Sequence, residues 1–495
     1  MGLRALIFVV GAVTLVAEIA TARLLAPYFG ASTFIWANTI AIVLLALSVG
    51  YWLGGRLADR RPSERDLRMM TLGAAGLLAL LPLLADPFFD LAVTAFDEID
   101  VGAALASLAG VLVLVAFPLV LLGAVGPWAI RLLMPSVEEA GRTAGRVYAL
   151  STLGSLVGTF LAALVLVPEV GAQRTFLLGA AALALAASAT GLSRAALLAP
   201  AAVLALVAIP PGITRGGGSG NRVLAERETP YQYVRVEERD DGERRLILNE
   251  GQAVHSVWRA ETVLTDDEWD GYLVLPFAAR ATPPRSMAML GNAAGTVSRA
   301  YERFFPSTRI DGVEIDPDLT EIGRRYFGMD NPRLTTFSED ARPFLAATDR
   351  RYDVIGLDAY RQPYIPFYLA TREFFALARD RLAPGGTVIV NVGHPPGNDD
   401  LERTLSATMG AAFSTVVRFP IEETNTLLVA SEAPLSPAGI LRAARQDPEL
   451  APLARRAAAQ TRAPLRGGRV YSDDRAPVEW LIDASILDYA AGGGG

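Results

Sequence analysis

Three carboxylates and one small-residue turn recur at regular intervals along the second half of the chain. The turn is "MLGNAAGTVSR", which sets Gly291 and Gly295 between an apolar run and an amphipathic one. Glu314 closes "RIDGVEI" about twenty residues later, where a carboxylate can accept both hydroxyls of a ribose. Asp340, with Ala341 beside it, closes "RLTTFSED" in reach of an adenine amino group, and both join the nucleoside-binding set. Asp358 ends "YDVIGLD" and precedes the irregular "AYRQPYIPFYLA". A turn of small residues lets a ligand approach the backbone at a helix amino terminus. Carboxylates at the carboxyl ends of successive strands are where open α/β sheets keep their chemistry. The set therefore points to an adenosine-bearing ligand.

The elements that must position these residues follow from periodicity. "SMAMLG", "RIDGVEI", "RLTTFS", "YDVIGLD", "TVIVNV" and "STVVRF" read as strands. "TVSRAYERFF", "LTEIGRRYF", "ARPFLAAT", "TREFFALARDRL" and "LERTLSATMGAAF" read as the helices between them. Such alternation implies a parallel, doubly wound, Rossmann-like sheet. "LAPGG" (382–386) is expected to make a turn on the same edge as the carboxylates. Ahead of the sheet, "YQYVRVEERDDGERRLILNEGQAVHSVW" alternates apolar and polar residues around Asp241-Gly242, as a β-hairpin does. The tight "GxGxxG" of a pyrophosphate cradle is missing, and no partner for a nicotinamide is evident.

Composition narrows the chemistry. The 495 residues contain no cysteine, which removes disulfides, thiolate nucleophiles and cysteine-bound metals. All 45 basic residues are arginine, so Schiff-base lysines and a P-loop lysine are excluded. His255 and His394 are the only histidines, too few for a histidine-built metal site, and both read as hydrogen-bonded loop or strand residues. No metal is expected. A net charge of −7 argues against nucleic acid as the partner.

The first half of the chain has a different character. Apolar runs near 4–25, 34–55, 69–87, 104–133, 146–168, 174–193 and 195–211 approach or exceed the ~20 residues that cross a bilayer, the last two also readable as one bent hairpin. The expectation is a multi-pass membrane domain over 1–211, a "GGGSG" linker over 212–221, a hairpin domain over 222–262 and a nucleoside-binding domain over 263–490. Arg56, Arg60, Arg61, Arg65 and Arg68 crowd one connection, Arg131, Arg142 and Arg146 another, and Arg194 a third, whereas "DPFFDLAVTAFDEID" is acidic. The positive-inside rule then places the amino terminus in the cytoplasm. Glu18 and Arg23 in the first span read as a structural pair near the membrane surface.

"TPYQYVRV", "LILNEGQAV", "VEIDPDLTEIGRRYF", "SEDARPFL", "YDVIGLDAY" and "LATREFF" together resemble the polyamine aminopropyltransferases, or spermidine synthases, over roughly 222–430. A multi-span half joined to such a domain, with the text around Trp269 and "SDDRAPVEWLID", is similar to membrane-fused spermidine synthase-like proteins. The resemblance implies a methyltransferase-like fold and an S-adenosylmethionine-type co-substrate, decarboxylated or not. It implies thioadenosine contact by Gln232, ribose contact by Glu314, adenine contact by Asp340, and proton acceptance by Asp358. Family positions that hold the polyamine fall here on Ala294, Arg361 and Val274, which carry none of the expected anionic or polar groups.

Tyr360 and Tyr364 stand where they could line an acceptor pocket or pack a loop, and Asp473 and Asp474 where they could face a cation or cap a helix. The implied activity is transfer of a group from the sulfonium to an amine or polyamine, releasing methylthioadenosine. Methyl transfer to a membrane-delivered substrate, and a non-catalytic polyamine or nucleoside transporter or sensor, are the alternatives. A homodimer is a further expectation. Seven crossings would put the second half outside the cell, while a cytoplasmic supply of sulfonium nucleosides requires an even count; a cytoplasmic domain is expected.

Overall fold

The computed structural model describes residues 2–29, 33–96, 108–190, 198–208, 221–249, 253–360, 364–482 and 484. Arg361, Arg194 and most of the 212–221 linker lie outside the described residues. Contacts divide the chain into two compact units, Met1–Gly216 with Glu226–Val234, and Gly217–Ala225 with Arg235–Gly495.

The first unit is helical. Its helices are α1 (Leu3–Phe29), α2 (Thr33–Arg60), α3 (Glu64–Phe96), α4 (Ala116–Leu133), α5 (Ala140–Leu161), α6 (Val167–Ser188) and α7 (Leu198–Val207). Among the described residues, five stretches are long and apolar enough to cross a membrane: Leu3–Ala26, Trp36–Arg60, Glu64–Ala85, Leu108–Leu133 and Val137–Ser188. The four expected spans over 4–133 fall on the first four. The next two, 146–168 and 174–193, fall largely on one run of 52 residues, because a π-helical segment, Ala162–Leu166, joins α5 to α6. Within Val167–Ser188 the backbone leaves helical geometry at Gly171, with φ 82° and ψ 166°.

Small residues set the helix crossings. A Cβ on Gly154 would lie 2.1 Å from the Phe8 carbonyl oxygen, and one on Gly158 would lie 2.1 Å from that of Ala12. The α1 and α5 backbones therefore approach closely, as helices do where packing rather than water drives association. Leu44, Leu45, Trp52, Phe117, Phe160 and Leu164 stay exposed, an apolar outer surface that water does not favour. Arg23 donates to the carbonyls of Thr229 and Pro230, and Ala172, just after the kink, donates its N–H to Glu228 at 2.8 Å.

Strands β1 (Arg222–Glu228), β2 (Tyr233–Glu238), β3 (Arg244–Leu248) and β4 (Val254–Trp258) form a small sheet in that order. The β2–β3 turn is the expected one: Arg239 N–H donates to Glu243 O at 2.9 Å and Gly242 supplies φ 83°.

The larger sheet contains β5 (Ser286–Leu290), β6 (Arg309–Val313), β7 (Leu334–Phe337), β8 (Tyr352–Leu357), β9 (Leu382–Gly393), β10 (Thr415–Pro420) and β11 (Asn425–Ser431). Their spatial order is β10-β11-β9-β8-β5-β6-β7. Helices α8 (Glu268–Val274), α9 (Thr296–Phe304), α10 (Pro317–Tyr326), α11 (Ala341–Ala347), α12 (Arg372–Asp380) and α13 (Asp400–Gly410) accompany it. The faces are packed by separate apolar clusters, one around Phe344, Phe374 and Leu405, the other around Tyr272, Phe277 and Tyr301.

Two sequence expectations are corrected. The sheet is mixed rather than parallel, because β11 runs antiparallel to both β9 and β10. Only four residues join β10 to β11, and Glu422 N–H donates to Asn425 O across the turn, leaving no room for a crossover helix. "LAPGG" opens β9 instead of closing a strand, so it occupies the edge away from the carboxylates. There Leu382 pairs with Tyr352 and Thr387 with Val354, with Gly385 at φ 72° taking up the extra chain.

Candidate active site

Asp358 directly follows β8, and its N–H donates to Leu290 O at 2.8 Å, which fixes it beside the turn that leaves β5. In that turn Gly291 has φ 85°, and a Cβ there would lie 2.3 Å from Asp358 O. No side chain fits, so the turn and the catalytic candidate share one contact. Gly295, at φ 88°, starts α9 in left-handed geometry.

Glu314, directly after β6, reaches back under the same turn. Its Oε2 accepts Ala293 N–H at 3.0 Å and its Oε1 accepts Asp316 N–H at 3.1 Å. Burial pushes its pKa up to about 7 in spite of these donors. Each oxygen keeps a further lone pair, the requirement for taking two adjacent hydroxyls. Asp340 caps α11 by accepting Arg342 N–H at 2.9 Å, and its other oxygen accepts the Tyr368 hydroxyl. Ala341 is buried beside it as the first residue of α11.

Asp358 is half-buried, and both carboxylate oxygens have donors. Asn391 Nδ2 donates to Oδ1 at 2.9 Å and Trp269 Nε1 to Oδ2 at 3.2 Å. Asn425 Nδ2 donates to Asn391 Oδ1 at 3.0 Å, which turns the Asn391 amide so that its NH₂ faces Asp358. Burial raises the Asp358 pKa, while the two donors favour the ionised form and partly offset it. Tyr360 donates its hydroxyl proton to Asn391 O at 3.0 Å and accepts Gly393 N–H at 2.8 Å.

Three further carboxylates gather here. Glu268 at the start of α8 has its pKa raised by burial first and then by the charge of Asp358. Asp267 is pushed up to about 7 by burial and by its hydrogen bond to Glu422 in the β10–β11 turn. Such a pair holds a proton near neutral pH because two adjacent negative charges repel.

The other candidates take separate places. Tyr364 is buried in the apolar cluster beneath the sheet. Asp473 pairs with Arg342 at 2.6 Å and accepts the Thr371 hydroxyl at 2.7 Å, bracing the starts of α11 and α12; Asp474 is exposed in the Ser472–Arg475 turn. Gln232 is buried between β1 and β2 and belongs to the first compact unit. His394 is a loop residue with its ring nitrogens 3.1 Å from Pro395 O and 3.4 Å from Thr426 Oγ1. Ala294 donates its N–H to Ser256 Oγ at 3.0 Å, and Val274 is fully buried in α8, so neither presents a polar side chain to a substrate. Among the described residues no group of three or more acidic or histidine side chains is placed to hold a metal ion.

Sequence reasoning missed Asn391, Asn425, Glu268, Asp267 and Glu422 as site residues. The one signal was a lone asparagine within the apolar "TVIVNV".

Residues 274–429 match the spermine/spermidine synthase domain. A probable polyamine aminopropyl transferase of Bifidobacterium longum is 36% identical over 194 residues, covering 38% of this chain and 42% of that protein. The polyamine aminopropyltransferase of Mycobacterium tuberculosis is 30% identical over 290 residues, covering 52% and 53%. The chain thus spans about half the length of these curated relatives. A crystal structure of a probable spermidine synthase from Corynebacterium glutamicum aligns with a TM-score of 0.40 at 19% identity, over 52% of this chain and 99% of that one. Residues 274–429 thus resemble a spermine/spermidine synthase domain, and they fall within a Rossmann-like mixed sheet whose strand ends carry the candidate carboxylates.

Proposed function

We propose that the second half is an aminopropyltransferase acting on a decarboxylated S-adenosylmethionine-type sulfonium and an amine. The observation that carries this is the fixing of Asp358 by Asn391 and Trp269 against the Gly291 turn, one strand from Glu314. Glu314 would hold the ribose hydroxyls and Asp340 the adenine edge, presenting the sulfonium carbon to Asp358. The amine nitrogen attacks the methylene next to sulfur. The carbon–sulfur bond breaks with its electron pair left on sulfur, freeing methylthioadenosine. The proton lost from nitrogen passes to Asp358. Orientation supplies most of the rate, and proton acceptance contributes ~10²–10⁴-fold.

The acceptor is read as a cationic amine. Ala294 and Val274 offer it nothing polar, and its charge would be met by Glu268 beside Asp358 and by the Asp267–Glu422 pair next to Glu268. Reacting purified full-length chain with co-substrate labelled separately in the methyl and aminopropyl groups tests the reading. Aminopropyl label in the amine with methyl label in methylthioadenosine supports it; methyl label in the acceptor contradicts it.

The first half is read as a multi-pass domain of the cell membrane with its amino terminus in the cytoplasm. At ~1.5 Å per residue the Val137–Ser188 run would be roughly 78 Å long, more than twice a ~30 Å hydrocarbon core. The kink at Gly171 favours two crossings there. With α7 spanning 10 of the described residues, six crossings are counted, and an even count keeps the enzyme on the cytoplasmic side with its co-substrate. A carboxyl-terminal reporter tests this: cytoplasmic fluorescence is expected, and periplasmic phosphatase activity contradicts it.

A further inference from the structure

Away from the carboxylate cluster, the strap after residue 465 crosses the first turns of α13. Gly468 makes the crossing possible, since a Cβ there would lie 1.9 Å from Arg403 O. Tyr471 N–H donates to Thr408 Oγ1 at 3.1 Å, and Arg403 donates to Arg466 O at 3.2 Å, tying strap to helix. Between them lies a cavity of about 660 Å³, lined by Arg403, Arg469, Arg475, Tyr471 and Trp480, with Asp400 as its one carboxylate.

The charge balance of this cavity is unlike that of the chain, whose net charge is −7. Arg403 sits 3.5 Å from Asp399. Among the described residues neither Arg469 nor Arg475 makes an ion pair, although this domain pairs many of its arginines, as with Arg342–Asp473 and Arg350–Asp311. Two arginines turned to one cavity repel each other unless an anion lies between them. The guanidinium fork matches phosphate oxygens in a bidentate manner. Trp480, a large apolar ring, is 68% exposed at the same rim. The volume falls in the range of small-molecule sites.

We propose that this cavity binds a phosphate monoester or diester whose phosphate lies between Arg469 and Arg475 and whose apolar part rests on Trp480. The site is separate from the one that would hold the sulfonium nucleoside. A soluble phosphate ester and a phospholipid headgroup share this chemistry.

The test uses full-length chain in phosphate-free dodecyl maltoside micelles, titrated calorimetrically with phenyl phosphate. Saturable binding is expected, weakened at least tenfold in the Arg469→Gln/Arg475→Gln double variant. Both substituted side chains are exposed, and unchanged affinity for methylthioadenosine shows that the variant is folded. Repeating the titration in phosphatidylglycerol nanodiscs separates the sources: loss of phenyl phosphate binding there, restored by returning to dodecyl maltoside, identifies a lipid headgroup, and retention identifies a soluble ester. Equal affinity in wild type and double variant, no saturable binding, or competition between phenyl phosphate and methylthioadenosine would overturn the proposal.

Discussion

Replacing Glu314 with glutamine separates the nucleoside-binding role of this residue from its effect on stability. The wild-type carboxyl has a pKa of about 7 in the folded chain, against 4.5 ordinarily, because it is buried. A gap of that size corresponds to ~3 kcal/mol between the two protonation states. The sign follows from linkage. Below the unfolded pKa both states are protonated and burial of the group costs nothing extra. As pH rises through the folded pKa, the folded state must carry a buried charge and loses that ~3 kcal/mol. The glutamine variant is spared this loss, but its NH₂ faces either Ala293 N–H or Asp316 N–H, a clash of donors worth ~1–3 kcal/mol at every pH. Thermal unfolding of both proteins from pH 5 to pH 8 should therefore show the variant less stable at pH 5 and equal or more stable at pH 8. Its affinity for methylthioadenosine should fall ~100-fold, since two hydroxyls lose charge-assisted bonds of ~1.5–3 kcal/mol each in part. A stability difference that does not change with pH, together with undiminished affinity, would refute the burial and the ribose role at once.

Further outcomes follow from the same geometry. Gly291→Ala puts a Cβ 2.3 Å from Asp358 O at φ 85°, so unfolding in denaturant should show a loss of at least ~2 kcal/mol and calorimetry no methylthioadenosine binding. Glu268→Gln should raise the amine KM at least tenfold while leaving methylthioadenosine affinity unchanged; a change in kcat alone would contradict its assignment to the amine. Amine binding should strengthen as pH rises through about 7, where Asp267 gives up the proton it holds with Glu422, and calorimetry at pH 6 and 8 reads this directly. Gly158→Ile drives a side chain into the Ala12 carbonyl, 2.1 Å from its Cβ, and should leave the detergent-solubilised chain aggregated on gel filtration, whereas Gly2→Ala, in open space, should not.

The parts of the site that were legible in the sequence are those written locally. Gly291, Glu314, Asp340 and Asp358 each close or follow an apolar strand, and the strand–helix period alone puts strand ends on one edge. Asn391 and Asn425 escaped that logic because they lie in strands β9 and β11, whose neighbour relation depends on a hairpin that reverses direction. Glu268 and Glu422 are over 150 residues apart in the sequence and share a site only through that hairpin. "LAPGG" was misplaced because a glycine turn before a strand and one after it look alike until pairing shows which edge they occupy. In the helical half, apolar length located the helices, but the continuity of Val137–Ser188 across Ala162–Leu166 has no mark in hydropathy.

The central claim is that Asp358 accepts the amine proton during aminopropyl transfer. Wild type and Asp358→Asn should be incubated with decarboxylated S-adenosylmethionine and a panel of mono-, di- and polyamines, with mass spectrometry following methylthioadenosine and the aminopropylated amine in equal amounts. The account predicts both products from wild type with at least one amine, and a rate ~10²–10⁴-fold lower in the variant with methylthioadenosine affinity retained. Equal rates in the two proteins, or no product from wild type with any amine in the panel, would contradict it.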